Sequence, residues 1–200
     1  MRKIVVFTMV SLDGVMQAPG GPEEDTSGNF KYGGWTAPYA DESFGNIINE
    51  ELSVPFDMLL GKKTHGIFAP YWPKQAGTIA DSFNKAKKYL VSDTTADLTW
   101  KESILINDDV VAKIKALKEE DGPMFQVWGS GKLTQTLLKN DLVDELRLRI
   151  FPVTIGTGKR LFAEGTIPTA FELINSEALP SGVILANYKR SGEFKTGSLA

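Results

Sequence analysis

The sequence predicts an α/β domain: a mixed, mostly parallel central sheet, helices on both faces, and an antiparallel C-terminal hairpin. Three observations predict it. Strand-like and helix-like runs alternate over residues 4–139, the order that builds a parallel sheet. Glycine follows two of those strands at once, where an α/β sheet turns into its helices. After residue 145 apolar residues recur at every second position, and two strand-like runs meet at a Pro-Ser-Gly turn.

Each element has its own warrant. Residues 4–10 are β-branched and aromatic and form a central strand. Ser11-Leu12-Asp13-Gly14 follows, then a Gly- and Pro-rich loop over 17–34, a length more often functional than idle. Asp41 can cap a helix reaching to about Leu52, with Ile47, Ile48 and Leu52 on its apolar face. Residues 56–60 are a short apolar strand, and Gly61-Lys62-Lys63-Thr64 opens the next helix. Residues 80–88 read as helix and 89–92 as strand. Asp108 or Asp109 caps a helix with Val110, Val111, Ile114 and Leu117 on one side. Residues 124–128 are another strand, followed by Gly129-Ser130-Gly131 and a helix to about Lys139. Glu145, Arg147 and Arg149 alternate with Leu146, Leu148 and Ile150, as in an antiparallel or edge-region strand with one wet face. Residues 170–179 and 183–190 form the hairpin around Pro180-Ser181-Gly182. One domain is expected over 1–190, with a loose tail over 191–200.

Composition narrows the chemistry. The 200 residues suit one domain, and 42% hydrophobic with 24% charged content argues against disorder. With no cysteine there is no disulfide, thiolate zinc site, iron–sulfur cluster or cysteine nucleophile, which suits a reducing, cytoplasmic setting. No apolar run is long enough for a membrane span. Net charge is −3 and the 22 basic residues are scattered, so nucleic acid is not the expected partner. His65 is the only histidine, which removes a histidine triad and a multi-histidine metal site. Hydride transfer to a small molecule remains easy to build. There the cofactor carries the chemistry and the protein supplies orientation, electrostatics and a proton.

Two junctions, Leu60-Gly61-Lys62-Lys63-Thr64 and Trp128-Gly129-Ser130-Gly131-Lys132-Leu133, put glycine at a strand end and lysine at a helix start. A helix N-terminus there offers N–H donors and a partial positive charge to a phosphate. Taken together they point to a dinucleotide or phosphate site; taken singly each is as well explained by chain turning. Asp13 stands at the same sheet edge, either as a carboxylate that routes a proton or as a turn residue. Asp41 is either a helix cap or a ring-binding group. Tyr71 and Trp72, near Pro70 and Pro73, can wall a planar ligand or serve core packing or loop anchoring. Gly156-Thr157-Gly158 can approach a ligand or bend the sheet edge.

In order and spacing these segments resemble the dihydrofolate reductases and the C-terminal reductase domain of the bifunctional riboflavin-biosynthesis deaminase/reductase. Ser11-Leu12-Asp13-Gly14 looks like that reductase's turn after its first strand, and Gly61-Lys62-Lys63-Thr64 like its phosphate-holding helix start. Val91-Ser92 matches the strand end facing the adenosine, and Trp128-Gly129-Ser130-Gly131 the segment under the pyrophosphate. Leu142-Val143-Asp144-Glu145-Leu146 and Pro152-Val153-Thr154-Ile155-Gly156-Thr157-Gly158, then Leu161-Phe162, match two later runs of the family. The resemblance spans residues 2–190. It implies a dihydrofolate-reductase-like three-layer fold and NADPH as cofactor. It also implies reduction of a small heterocycle, the nearest named activity being 5-amino-6-(5-phosphoribosylamino)uracil reductase. A folate or pterin reductase, or a nucleotide-binding protein without turnover, are the alternatives. Gly61, Lys62, Lys63, Thr64, Ser92 and residues 128–133 would hold cofactor; Trp35, Asp41, Tyr71 and Trp72 would meet substrate; Asp13 would serve catalysis. The first helix, Phe44-Gly45-Asn46-Ile47-Ile48-Asn49-Glu50-Glu51, has no basic residue where the riboflavin-pathway reductase grips a ribose phosphate. Lys62 and Lys63 favour NADPH over NADH, since the matching stretch holds no acid for a free 2′-hydroxyl. The alternating strand 145–150 and the hairpin after it present an edge that a homodimer would cover.

Overall fold

The computed structural model describes residues 1–94 and 98–199. One sheet contains β1 Ile4–Ser11, β2 Phe56–Gly61, β3 Lys88–Val91, β4 Ser103–Ile106, β5 Met124–Trp128, β6 Glu145–Phe151, β7 Ala170–Ala178 and β8 Ile184–Gly192. The helices are α1 Glu42–Ser53, α2 Lys62–Tyr71, α3 Thr78–Lys85, α4 Val110–Glu119 and α5 Gly131–Lys139. Across the sheet the order is β4-β3-β2-β5-β1-β6-β8-β7. The first six strands are parallel, and β8 pairs antiparallel with both β6 and β7.

Why β1 is central is legible in its side chains: Ile4, Val5 and Val6 are fully buried, and neighbours pair on both sides. A strand covered on both faces has no place for polar alternation. From β1 the chain crosses over β5 to β2; from β5 it crosses over β1 to β6. Right-handed crossovers in opposite directions put their helices on opposite faces. The core divides accordingly. Ile114 of α4 and Leu133, Leu137 and Leu138 of α5 pack with Ile4, Val6 and Phe125 on one face. Phe44, Ile48 and Leu52 of α1 and Phe83 of α3 pack with Met58, Leu60 and Phe151 on the other.

Several expectations need correction. The helix expected over 80–88 ends at Lys85, and Lys88 opens β3. Lys88 is wholly buried; its Nζ donates to the carbonyls of Asn84 (2.7 Å) and Lys101 (3.0 Å) and stands 4.5 Å from the Trp100 ring centre. Three lysines in four positions resemble a solvated helix face, but one of them has an internal cage. Strand β4 was not anticipated; it is four residues long. Neither Asp108 nor Asp109 gives α4 a side-chain cap: Asp109 has φ 36°, and Asp108 pairs with Lys113.

Strand β6 is neither an edge nor antiparallel throughout. It lies where the sheet changes from parallel to antiparallel, and its charged face is largely buried. Glu145 pairs with Lys3 (2.8 Å) and Arg147 (3.2 Å), and Arg149 pairs with Glu51 of α1. Charges satisfied in pairs can be buried, so alternation of charge did not mean contact with water. The true edges are β4 and β7, and β8 runs on to Gly192.

Candidate functional site

In an open α/β sheet, connections that leave adjacent strands toward opposite faces open a crevice beyond the carboxyl ends of those strands. Here those strands are β1 and β5. The starts of α2 and α5 meet beside the crevice, although Gly61 and Ser130 are 69 residues apart. Their first residues follow Gly61 and Ser130, and no side chain caps either helix. Instead the Gly61 N–H donates to Ser130 Oγ at 3.0 Å, which locks the two starts together. First-turn N–H groups without a capping oxygen carry the positive end of the helix dipole. Ser130 (φ 59°) and Gly129 (φ 64°) are both left-handed, which turns the backbone sharply into α5. A Cβ on Gly129 would stand 3.8 Å from Thr64 Oγ1, so Thr64 closes the same corner.

The flanking side chains divide into lining and packing. Lys62 Nζ donates to Thr94 Oγ1 (2.6 Å), and Ser92 Oγ donates to the Thr94 carbonyl (2.9 Å), tying α2 to the end of β3. Lys132 is exposed, whereas Leu133 is buried in the core beneath α5. Trp128 stacks on Phe7 with ring centres 4.8 Å apart, and its Nε1 donates to Gln126.

Asp25, in the long loop after β1, centres a network of its own. Its carboxylate, 10% exposed, binds Lys63 through Oδ1 and Lys159 through Oδ2, the latter at 2.6 Å. Both ammonium groups also donate to Ser27 Oγ, at 3.1 and 2.8 Å. Burial pushes the Asp25 carboxyl up, but Lys159, Lys63 and Ser27 outweigh it and hold the group well below the usual range. Gln17 braces the same loop: its Nε2 donates to the carbonyls of Asp25 and Ser27, and its Oε1 accepts from Lys159 N. Thus an acid does reach Lys63, from a loop 38 residues away. Only the length of that loop signalled it. The cluster retains one net positive charge.

Asp13 is a latch. Oδ1 accepts from Ser11 Oγ (2.6 Å) and Ile155 N (3.0 Å); Oδ2 accepts from Gly156 N (2.8 Å) and lies 3.6 Å from Arg160. The Ser11 hydroxyl, then the Ile155 and Gly156 amides, outweigh desolvation and hold its carboxyl at about 2. Around it the loops after β1 and β6 are stitched together by Leu12 N to Val153 O (2.7 Å), Met16 N to Lys159 O (2.8 Å) and Leu161 N to Gly14 O (3.0 Å).

The four residues expected to meet substrate separate. Trp35 stands edge-on to Phe151 (5.4 Å), as do Tyr39 (5.9 Å) and Phe44 (5.7 Å), so it joins an aromatic cluster at the carboxyl end of β6. Asp41 caps α1, Oδ1 accepting from Phe44 N at 2.8 Å. Tyr71 and Trp72 lie at the opposite end of α2 from Gly61, roughly 15 Å along its axis. There they line a separate surface cavity of about 430 Å³ with Asn49 and Gln75. The Trp72 ring packs on Phe68 and Phe83. His65 is buried beside Trp100 and meets Ser103 Oγ at 3.3 Å, away from the crevice. Among the described residues no group of three or more His, Asp or Glu side chains is arranged to hold a metal, and no helix is long and apolar enough to cross a membrane.

Comparison with known proteins adds three kinds of likeness. The family model of the RibD C-terminal domain matches residues 2–185. The uncharacterized protein YyaP of Bacillus subtilis strain 168 is 26% identical over 196 residues, which cover 96% of each chain. Among solved structures, a Shewanella sp. PV-4 protein named for riboflavin biosynthesis superimposes with TM-score 0.69 at 20% identity, over 95% of this chain and 99% of that one. A pyrimidine reductase-like protein of Corynebacterium diphtheriae gives 0.66 at 15% identity, over 96% and 93%. Dihydrofolate reductase of Enterococcus faecalis, complexed with NADP(H), gives 0.57 at 12% identity, over 95% and 97%. At these identities the structures establish a shared fold: the dihydrofolate-reductase-like three-layer arrangement.

Proposed function

The chain belongs to the RibD C-terminal domain family, and on that footing we propose that it is an NADPH-dependent reductase of a small heterocycle. One observation carries the reading: the starts of α2 and α5, both without a capping side chain, are joined through Gly61 and Ser130 and flanked by Lys62, Lys63 and Lys159. Two helix N-termini and three ammonium groups fit the phosphates of a dinucleotide. Left-handed Gly129 and Ser130 turn the backbone so that its N–H groups would meet a phosphate there. The cofactor, when bound, would supply the hydride. Lys62 and the first-turn amides would hold its phosphates, and Met16, which packs 3.8 Å from where a Gly131 Cβ would be, would border its inner end. The ring to be reduced would then lie between the loop after β1 and the Trp35–Phe151 cluster.

Asp13 enters this reading as a positioning residue. With its carboxyl held at about 2 it is ionised at neutral pH, and both oxygens are engaged. The engagement of both oxygens by Ser11, Ile155 and Gly156 also fits a second reading, a nucleotide-binding protein without turnover, in which Asp13 serves only as a latch. The test is calorimetric titration with NADPH, then NADPH oxidation followed by absorbance against pyrimidines, pterins and carbonyl compounds. Binding with oxidation supports the reductase; binding with no oxidation across the panel supports the second reading; no binding removes both.

A further inference from the structure

We infer that the substrate of this site is a neutral or cationic planar ring that presents no phosphate toward α1, an inference that rests on the proposed cofactor site. The crevice is electrically divided. On the cofactor flank two helix starts are uncapped and Lys62, Lys63 and Lys159 stand beside them, with Asp25 pairing Lys63 and Lys159. On the other flank the start of α1 is occupied: the Asp41 carboxylate accepts from Phe44 N at 2.8 Å. A negative charge sits where an anion would otherwise meet the helix dipole. Glu42 stands exposed beside it in the first turn.

Within their own segment no cation offsets Asp41 and Glu42, and Arg160 of the loop after β6 is drawn to Asp13 at 3.6 Å. Residues 33–54, which carry the aromatic cluster and all of α1, contain Asp41, Glu42, Glu50 and Glu51 and no lysine or arginine. The β6 guanidinium nearest the cluster, Arg149, is 3% exposed and is engaged by Glu51, the Leu148 carbonyl and Asn187 Oδ1. Arg147, farther from the carboxyl end, is held by Glu145 and lies over the Phe7 ring. A phosphate dianion entering beside α1 would lose its hydration and face Asp41 and Glu42, while Arg160 is already drawn to Asp13. The Trp35, Tyr39 and Phe44 rings around Phe151 instead offer apolar surface, which suits an uncharged ring.

Inorganic phosphate is the first probe, titrated into isotope-labelled protein and followed by amide chemical shifts. Saturable shifts are expected at residues 62–64 and 131–133 and none at 42–44. Saturable shifts at 42–44 overturn the inference. Silence at 62–64 counts against the cofactor reading alone. Asp41→Ser keeps a capping oxygen but removes the charge. In that variant phosphate shifts should appear at 42–44, and continued silence there overturns the charge argument. The second probe is a matched pair, 5,6-diaminouracil and 5-amino-6-(5-phosphoribosylamino)uracil, titrated into the NADPH complex. The phosphorylated member should bind no tighter than the other; tighter binding by about tenfold or more, the scale of one charge-assisted contact, overturns the inference.

Discussion

Asp13 and Lys88 are both charged residues whose positions along the chain suggest one role and whose partners define another. Asp13 follows the first strand at a ligand-facing edge, yet its carboxylate joins three donors from two loops. Asp13→Asn would set an amide N–H₂ against one of those donors, at a cost of about 1–3 kcal/mol. The variant should therefore melt several degrees lower and still bind NADPH; unchanged melting with lost turnover would restore a proton-transfer role. Its folded-state carboxyl lies at about 2, below the roughly 3.9 of an unfolded chain. Its stabilising contribution is thus fully present above about pH 4 and is lost as pH falls through 2. Lys88 is also shifted downward, but there the fold penalises the charged form instead of favouring it. Burial, opposed by Glu102, pushes its ammonium down to about 8. The charged form is penalised in the fold, so stability should rise as pH increases from about 8 toward the unfolded value near 10.4. Urea midpoints of wild type measured against Lys88→Met between pH 7.5 and 10 should show this rise in wild type alone. For the cofactor, replacing Lys62 and Lys63 together by alanine should weaken NADPH by tenfold or more, the order expected for a charge-assisted contact, and NADH by much less. Equal losses in calorimetry would remove the 2′-phosphate assignment.

The elements differ in how openly their sequences announce them. Strand β1, the junction at Gly61, strand β5 and the β7–β8 hairpin are written in local pattern, because burial on both faces, a forced turn or period two leaves a trace in adjacent residues. Strand β6 is announced by its alternation, but its place inside the sheet is not, since its buried Glu145 and Arg149 depend on Lys3 and Glu51, which are distant in sequence. The same reason hid the loop around Asp25. Nothing near Asp25 indicates that Lys63 and Lys159 converge on it, and only the folded chain brings them together. The candidate site was legible as two glycine junctions but not as one corner, and Tyr71 and Trp72 were aromatic side chains whose distance from that corner only α2 reveals. Asp25→Ala tests the loop as a unit. Because both lysines are half exposed, its loss should cost only about 1–2 kcal/mol. Hydrogen exchange should nonetheless accelerate over 17–34, including the Gly34 amide that donates to Ala18 O at 2.8 Å. Exchange unchanged across that loop would show that Gln17 alone holds it.

At the scale of the molecule, one end of the sheet is covered poorly. Strand β7 is the outermost strand beside β8, and Leu173 and Ile174 are 48% and 49% exposed. A long edge that exposes apolar side chains is an aggregation hazard unless another chain covers it. We propose that two chains pair along β7; sedimentation at micromolar concentration should give a dimer, and Leu173→Lys with Ile174→Lys a monomer. Wild type sedimenting as a monomer would rule the pairing out. The proposed activity stands at the other side of the molecule's design, in the corner between α2 and α5. Hydrogen exchange with and without NADPH tests that corner most directly. The account predicts that NADPH slows amide exchange at 61–64 and 129–133. Binding that leaves those amides unchanged and protects the surface around Asn49, Tyr71 and Gln75 would contradict it.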